Sequence, residues 1–167
     1  MKNVKYDFSC VSIELPKPMA EWVIKWGQTH VSEDMLYNVT GFGHEDEPHI
    51  TILYGIHDAS PLRSKAALKG KSLPTVSLGR AFIFEKEFFD VLAVSVESDG
   101  LGELWQALEQ GVDHSSRYAT FVPHVTVAYL RKDSGWFLAG ESEFLGETFL
   151  ADEVVFKGHK GGKHVIL

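Results

Sequence analysis

One seven-residue pattern occurs twice in this chain. Pro48-His49-Ile50-Thr51-Ile52-Leu53-Tyr54 and Pro123-His124-Val125-Thr126-Val127-Ala128-Tyr129 both read Pro-His-Φ-Thr-Φ-x-Tyr, where Φ is a β-branched aliphatic residue. The copies lie 75 positions apart (49 to 124) in a chain of 167 residues, one in each half. A single His-x-Thr arises by chance in many strands, whereas two copies sharing five defined positions imply two related strands. Side chains alternate along a strand, so His49 shares a face with Thr51, and His124 with Thr126. Ile50, Ile52, Val125 and Val127 then point the other way, into apolar packing. If an approximate two-fold relates the halves, the polar faces converge on one cleft and place two titratable imidazoles and two hydroxyl donors around a single anion. By the same alternation Tyr54 and Tyr129, at odd spacing from their histidines, are expected to face away from that cleft as core residues.

The rest of the chain reads as a mixture of hairpins and helices, which favours an α+β fold with largely antiparallel sheets. Strands are predicted over 6–15, 49–54 (closed by Gly55), 76–84, 88–96, 122–130, 148–156 and 163–167. Helices are predicted over 19–26 (stopped by Gly27), 61–68 and 102–111, with 136–138 as part of a further short helix. Glu85-Lys86-Glu87 reads as a hairpin turn, and Trp22, Trp26 and Trp105 fall on apolar helical stripes. No low-complexity linker divides the sequence, so any lobes must pack against each other.

Charge limits the partners. With 23 acidic against 16 basic side chains and a net charge of −7, the chain lacks the broad basic face that holds long nucleic acid. A small anion held by a few local groups is the compatible ligand. Cys10 is the only cysteine, so no internal disulfide forms, and Met1-Lys2-Asn3-Val4-Lys5 is not followed by the apolar core of a signal peptide. No apolar run approaches the roughly 18 residues of a membrane span. A cytoplasmic protein is expected, in a host cell's cytoplasm if a phage encodes it. Of the remaining histidines, His44, His57, His114, His159 and His164 follow no compact ligand spacing such as His-Glu-x-x-His, so neither a metal site nor a cofactor is expected.

The paired motif His49-Ile50-Thr51 and His124-Val125-Thr126 resembles the signature of the two-histidine (2H) phosphoesterase superfamily. That group includes 2′,5′-RNA-ligase-like proteins, cyclic phosphodiesterases, and phage enzymes that destroy cyclic oligonucleotide alarm signals. The resemblance implies one bilobed, duplicated domain over residues 1–167, with two largely antiparallel sheets around a central groove and helices on the outside. It also implies metal-independent phosphodiester chemistry with His49, Thr51, His124 and Thr126 as the catalytic groups. Two imidazoles with pKa values of roughly 6.5 can divide the work at neutral pH, one neutral as base and one protonated as acid. The threonines would donate to the non-bridging oxygens. Between Lys25 and Arg63 there are six acidic residues (Glu33, Asp34, Glu45, Asp46, Glu47 and Asp58) and no lysine or arginine, which favours a protonated His49 as the acid.

The compact length and the strand Ile52-Leu53-Tyr54-Gly55 resemble the phage members. Cleavage of cyclic di- or trinucleotide immune signals is therefore the leading substrate reading. The alternatives are 2′,3′-cyclic phosphate hydrolysis or ligase-like processing of RNA ends and, in another class, a module that sequesters a nucleotide without turning it over. Candidate binding residues flank the motifs. Phe42, between Gly41 and Gly43, either stacks on a base or anchors its loop in the core. Near the C-terminus Glu153, Val155, Lys157 and His159 share a strand face, while Val154 and Phe156 take the other, with Glu153 placed to read a base edge. The stretch Lys157-Gly158-His159-Lys160-Gly161-Gly162-Lys163 is a local cationic cluster, fit either to cap an anion or to form a solvated hairpin turn. Arg80, Arg117 and Arg131 are further candidates for phosphate contacts.

Overall fold

The apolar strands and helices of this sequence assemble in the order β1 (Ser9–Glu14), α1 (Lys17–His30), β2 (His49–Ile56), α2 (Leu62–Ala67), β3 (Thr75–Glu85), β4 (Asp90–Glu97), α3 (Asp99–Gly111), β5 (His124–Leu130), β6 (Thr148–Leu150), β7 (Val155–Lys157) and β8 (Lys163–Val165). Single 3₁₀ turns lie at Glu33–Met35 and Trp136–Leu138. The computed structural model describes residues 7–167, so the targeting reading of residues 1–5 lies outside the described residues. No helix among the described residues is long and apolar enough to cross a membrane.

The duplication seen in the motif extends to its surroundings. β1-α1-β2 and β4-α3-β5 are the same strand–helix–strand unit, each ending on one copy of the motif. The fold is α+β and its strand pairings are antiparallel. Hydrogen bonding runs through all eight strands in the order β6-β3-β4-β5-β2-β1-β7-β8, so the two expected sheets are two four-stranded halves of one curled sheet. They meet at a single ladder pair, Ile50 opposite Val125.

Apolar periodicity selects the covered face. Val23 and Trp26 of α1 and Leu101, Leu104 and Leu108 of α3 are buried in one core with Ile13, Ile50, Val94 and Val125 of the strands. Ser98 starts α3 by accepting a hydrogen bond from the Leu101 amide at 3.4 Å, and Pro18 sits in the first turn of α1, where its missing N–H costs little. With helices on that face, the other face of the sheet forms the groove.

Three predicted boundaries are corrected. Gly27 does not stop α1. It lies inside the helix because a Cβ there would come within 2.7 Å of Val127 Cγ1, so glycine lets the helix backbone lie against β5. Gly55 does not close β2. At φ +86 it sits within the strand against the backbone of Ser115 and Ser116, a conformation that favours glycine. The strand predicted over 148–156 is two strands in opposite halves, β6 on β3 and β7 on β1. The link between them carries Ala151 and Val154, both buried, and a local apolar pattern cannot tell a buried crossing from a buried strand. The first half of the sheet thus takes its outer strands from the C-terminus, and the lobes are not simply the two halves of the sequence.

Candidate active site

The pair Ile50–Val125 is the local axis of the site. Antiparallel strands are related by a two-fold through such a pair, and here it exchanges His49 with His124 and Thr51 with Thr126. Carrying the register one step either side sets His49 across from Thr126 and Thr51 across from His124. All four side chains are half-buried on the helix-free face.

Both motif strands then break their alternation at the same place. On β2 the partners of Thr51 and Leu53 are the consecutive residues Ser12 and Val11, leaving Ile52 as an extra residue. On β5 the partners of Thr126 and Ala128 are Ala93 and Leu92, leaving Val127 extra. A bulge of one residue in each copy turns the remainder of the strand over. Tyr54 and Tyr129 consequently lie on the groove face with the histidines, against the expectation that they face the core. Tyr54 is 46% exposed, and burial with the negative charge of Asp7 pushes its phenol up from the usual value.

Each imidazole is oriented alike. His49 Nδ1 lies 2.8 Å from the carbonyl of Glu47, and His124 Nδ1 lies 2.9 Å from the carbonyl of Val122. A carbonyl oxygen only accepts, so Nδ1 carries the proton in both rings and Nε2 is the nitrogen left free to accept or give a proton. Neither Nε2 has a protein partner among the described residues, and both remain open to solvent. Burial holds the pKa of His124 below the ordinary imidazole value, only partly offset by the Val122 carbonyl. The charges of His49 and Lys86 push it the same way as burial. Two such nitrogens and two hydroxyls facing one space can remove a proton, deliver a proton and donate to an anion between them.

The groove walls follow from the same register. Ser12 and Glu14 flank Thr51 and His49, with Lys157 and Lys163 beyond them on β7 and β8. Ser12 is fully buried, and its Oγ has no hydrogen-bond partner among the described residues. Glu14 forms ion pairs with Lys163 at 2.6 Å and with Lys157 at 3.6 Å. Burial would raise this carboxyl, but the two ammonium groups outweigh it and hold it below the usual carboxylate range. On the other side, Ala93 and Ser95 flank Thr126 and His124, and Phe82 and Phe84 lie beyond on β3.

No family model matches the chain, and no curated protein matches it in sequence. Solved structures do. The chain is similar to a protein described as a phosphoesterase, with a TM-score of 0.64 and 21% identity over 95% of this chain and 93% of that one. It is similar to Escherichia coli LigT complexed with NADP+, with a TM-score of 0.66 and 19% identity over 95% and 93% of the chains. The LigT complex with 3′-AMP gives 0.65 and 16% over 97% and 94%. The chain has the LigT-like fold.

Within this LigT-like fold the four motif residues come together and Lys157 lies in the groove wall, whereas Phe42, Glu153 and His159 do not join them. Phe42 is the loop anchor: its ring packs 5.0–5.2 Å from those of Tyr37, Phe89 and Tyr129, which takes it out of base stacking. Lys157 does face the groove, but as an ion partner of Glu14. Glu153 and His159 lie outside β7, so the shared face that joined them to Lys157 does not form. The Ser9 hydroxyl donates to the Asp58 carbonyl at 2.7 Å and therefore accepts from His159 Nδ1 at 2.8 Å, which makes His159 a clamp on the β7–β8 hairpin.

Of the arginines, Arg80 donates to the Gly140 carbonyl at 3.1 Å. Arg131 donates to the Asp34 carbonyl at 3.2 Å and lines a separate cavity of about 680 Å³ with Tyr37, Asn38, Val39 and Phe88. Sequence reasoning missed Tyr54, Tyr129, Ser12, Phe82 and Phe84. A signal for the tyrosines was present: Ile52-Leu53 and Val127-Ala128 are adjacent apolar pairs, and two successive core-facing residues require a bulge. Among the described residues, no three His, Cys, Asp or Glu side chains cluster as a metal site.

Proposed function

We propose that this protein is a phosphodiesterase of the two-histidine type, acting as one bilobed unit on a small nucleotide. The observation that carries the reading is the matched pair of imidazoles. Each is pinned through Nδ1 to the carbonyl two residues before it, each has Nε2 open, and the two are related by the Ile50–Val125 axis. His124, whose neutral form burial favours, takes the proton of the attacking oxygen, whether from water or from a ribose hydroxyl. As that oxygen forms its bond to phosphorus, the bond to the leaving oxygen breaks and His49 supplies the proton from Nε2. The cycle leaves His124 protonated and His49 neutral, and exchange with water restores both. Thr51 and Thr126 donate to the non-bridging oxygens. A nucleotide-sized ligand is supported by LigT, whose structures hold 3′-AMP and NADP+. The net charge of −7 and the engagement of Lys157 and Lys163 by Glu14 disfavour long RNA. Cyclic di- and trinucleotides, of the kind that signal phage infection, are our first choice of substrate, ahead of 2′,3′-cyclic phosphates and RNA ends.

The test is incubation with a panel of cyclic oligonucleotides, 2′,3′-cyclic nucleotides and 2′–5′-linked dinucleotides in excess EDTA, with products resolved by chromatography. Turnover of at least one class, unchanged by chelation, is expected. Ligand retained by the protein and recovered intact would replace the enzyme with a sequestering module, and activity abolished by EDTA would overturn the metal-independent mechanism.

The lowered pKa of His124 sets a pH dependence. The base must be neutral, so the acidic limb of kcat/KM should fall below the ordinary imidazole value of about 6.5. Stability carries the same sign. The unfolded chain binds this proton more readily than the folded one, so the contribution of neutral His124 is present above pH about 6.5 and is lost as pH falls through the folded value. Comparing pH–rate and pH–stability curves of wild type and His124→Gln checks both. An acidic limb above pH 7 would contradict the assignment of His124 as base.

A further inference from the structure

The reacting groups of the groove are two-fold related, but its walls are not. The position beside Cys10 on β7 is Lys157, and its counterpart beside Val91 on β3 is Phe84. Val155 opposite Ser12 corresponds likewise to Phe82 opposite Ala93. The His49 side is therefore ionic, built on Glu14, Lys157 and Lys163, and the His124 side is aromatic. Phe84 lies 4.7 Å from the His124 ring at 64° and 4.6 Å from Phe82. Both phenylalanines are only half-buried, on the face that no helix covers. Above them Lys86, in the β3–β4 turn, sets its ammonium 5.6 Å from the centroid of Phe84 and 5.6 Å from that of Tyr118, itself 73% exposed.

An aromatic shelf beside one histidine, with an exposed tyrosine facing it across a shared cation, matches the needs of a flat, π-stacking ligand joined to a phosphate. We infer that Phe82, Phe84 and Tyr118 form a nucleobase platform on the His124 side alone, with Lys86 pairing with the phosphate of the stacked nucleotide. The ligand then lies in the groove in one direction, base toward His124 and the rest of the molecule toward the ionic wall. This rests on reading the groove as a nucleotide site, and it identifies the residues that distinguish one substrate from another within that reading. Any base has a π-face, so the platform selects for the presence of a base rather than for its hydrogen-bonding edge.

Calorimetric titration of the whole protein with AMP and with ribose 5-phosphate, which keeps the phosphate and lacks the base, tests it. Wild type is expected to bind AMP at least about tenfold more tightly than ribose 5-phosphate. Phe84→Leu and Tyr118→Ala should each bring that ratio toward one while leaving ribose 5-phosphate unaffected. Tyr118 is too exposed for its loss to unfold the chain, so the test survives a poorly folded Phe84 variant. Equal wild-type affinity for the two ligands, or a ratio that persists in both variants, overturns the platform even where phosphodiesters are cleaved. Base-dependent binding that vanishes with either ring in a protein that cleaves none of the panel would keep the platform and remove the enzyme.

Discussion

Replacing either motif histidine by alanine is expected to lower kcat/KM by about 10²–10⁴-fold, the usual contribution of a positioned general acid or base. Each side chain is half-buried and hydrogen-bonded to a local carbonyl, so His49→Ala should move the melting temperature little, and His124→Ala somewhat more because it also loses the ring contacts with Phe82 and Phe84. The double variant should be scarcely worse than either single one, because an acid and a base that act in the same transition state are not additive. The residual activities should also differ in shape: His124→Ala loses the acidic limb of the pH profile and His49→Ala keeps it. Steady-state assays across pH 5–9 on the three variants, with circular dichroism as the folding control, check this. A His49→Ala protein within tenfold of wild type would leave the paired-imidazole mechanism without its acid.

The second large effect is expected at the seam. Ile50 is 0% exposed and contributes half of the one ladder pair that, among the described residues, joins the two halves of the sheet. Ile50→Ala should destabilise the fold by about 2–5 kcal/mol through lost burial and the cavity left behind. Activity per folded molecule should fall as well, because this pair sets the register in which His49 and His124 face one another. Leu104→Ala is the control. Leu104, at 1% exposure, is equally buried but belongs to α3, so its loss should cost comparable stability and leave kcat of the folded protein unchanged. Denaturant titration paired with active-site-normalised kcat separates the two effects. Equal kcat in both variants would show that the seam does not position the histidines.

Much of this was legible in the chain. The repeated heptad locates the two strands, their polar and apolar faces at His49, Thr51, His124 and Thr126, and the duplication of the surrounding unit. Alternation and helical spacing recover most elements because one-sided burial imposes those periods on the sequence. The readings that failed did so for stated physical reasons. Tyr54 and Tyr129 were assigned to the core by an alternation that the bulges at Ile52 and Val127 interrupt. For Phe42 the sequence leaves base stacking and loop anchoring open, because a loop aromatic looks the same in sequence whether or not Tyr37, Phe89 and Tyr129 lie against it.

Residue type and spacing along a strand are local properties, so the candidate reacting groups and the faces that carry them can be read from the chain alone. What surrounds them is a property of the folded chain. Which strand lies beside each motif strand depends on pairings between segments far apart in the chain, such as β7 with β1. Those pairings make one wall of the groove ionic and the other aromatic. The asymmetry between His49 and His124, in burial and in neighbours, has the same origin. Desolvation and field are set by everything packed around a group, not by the residues beside it in sequence.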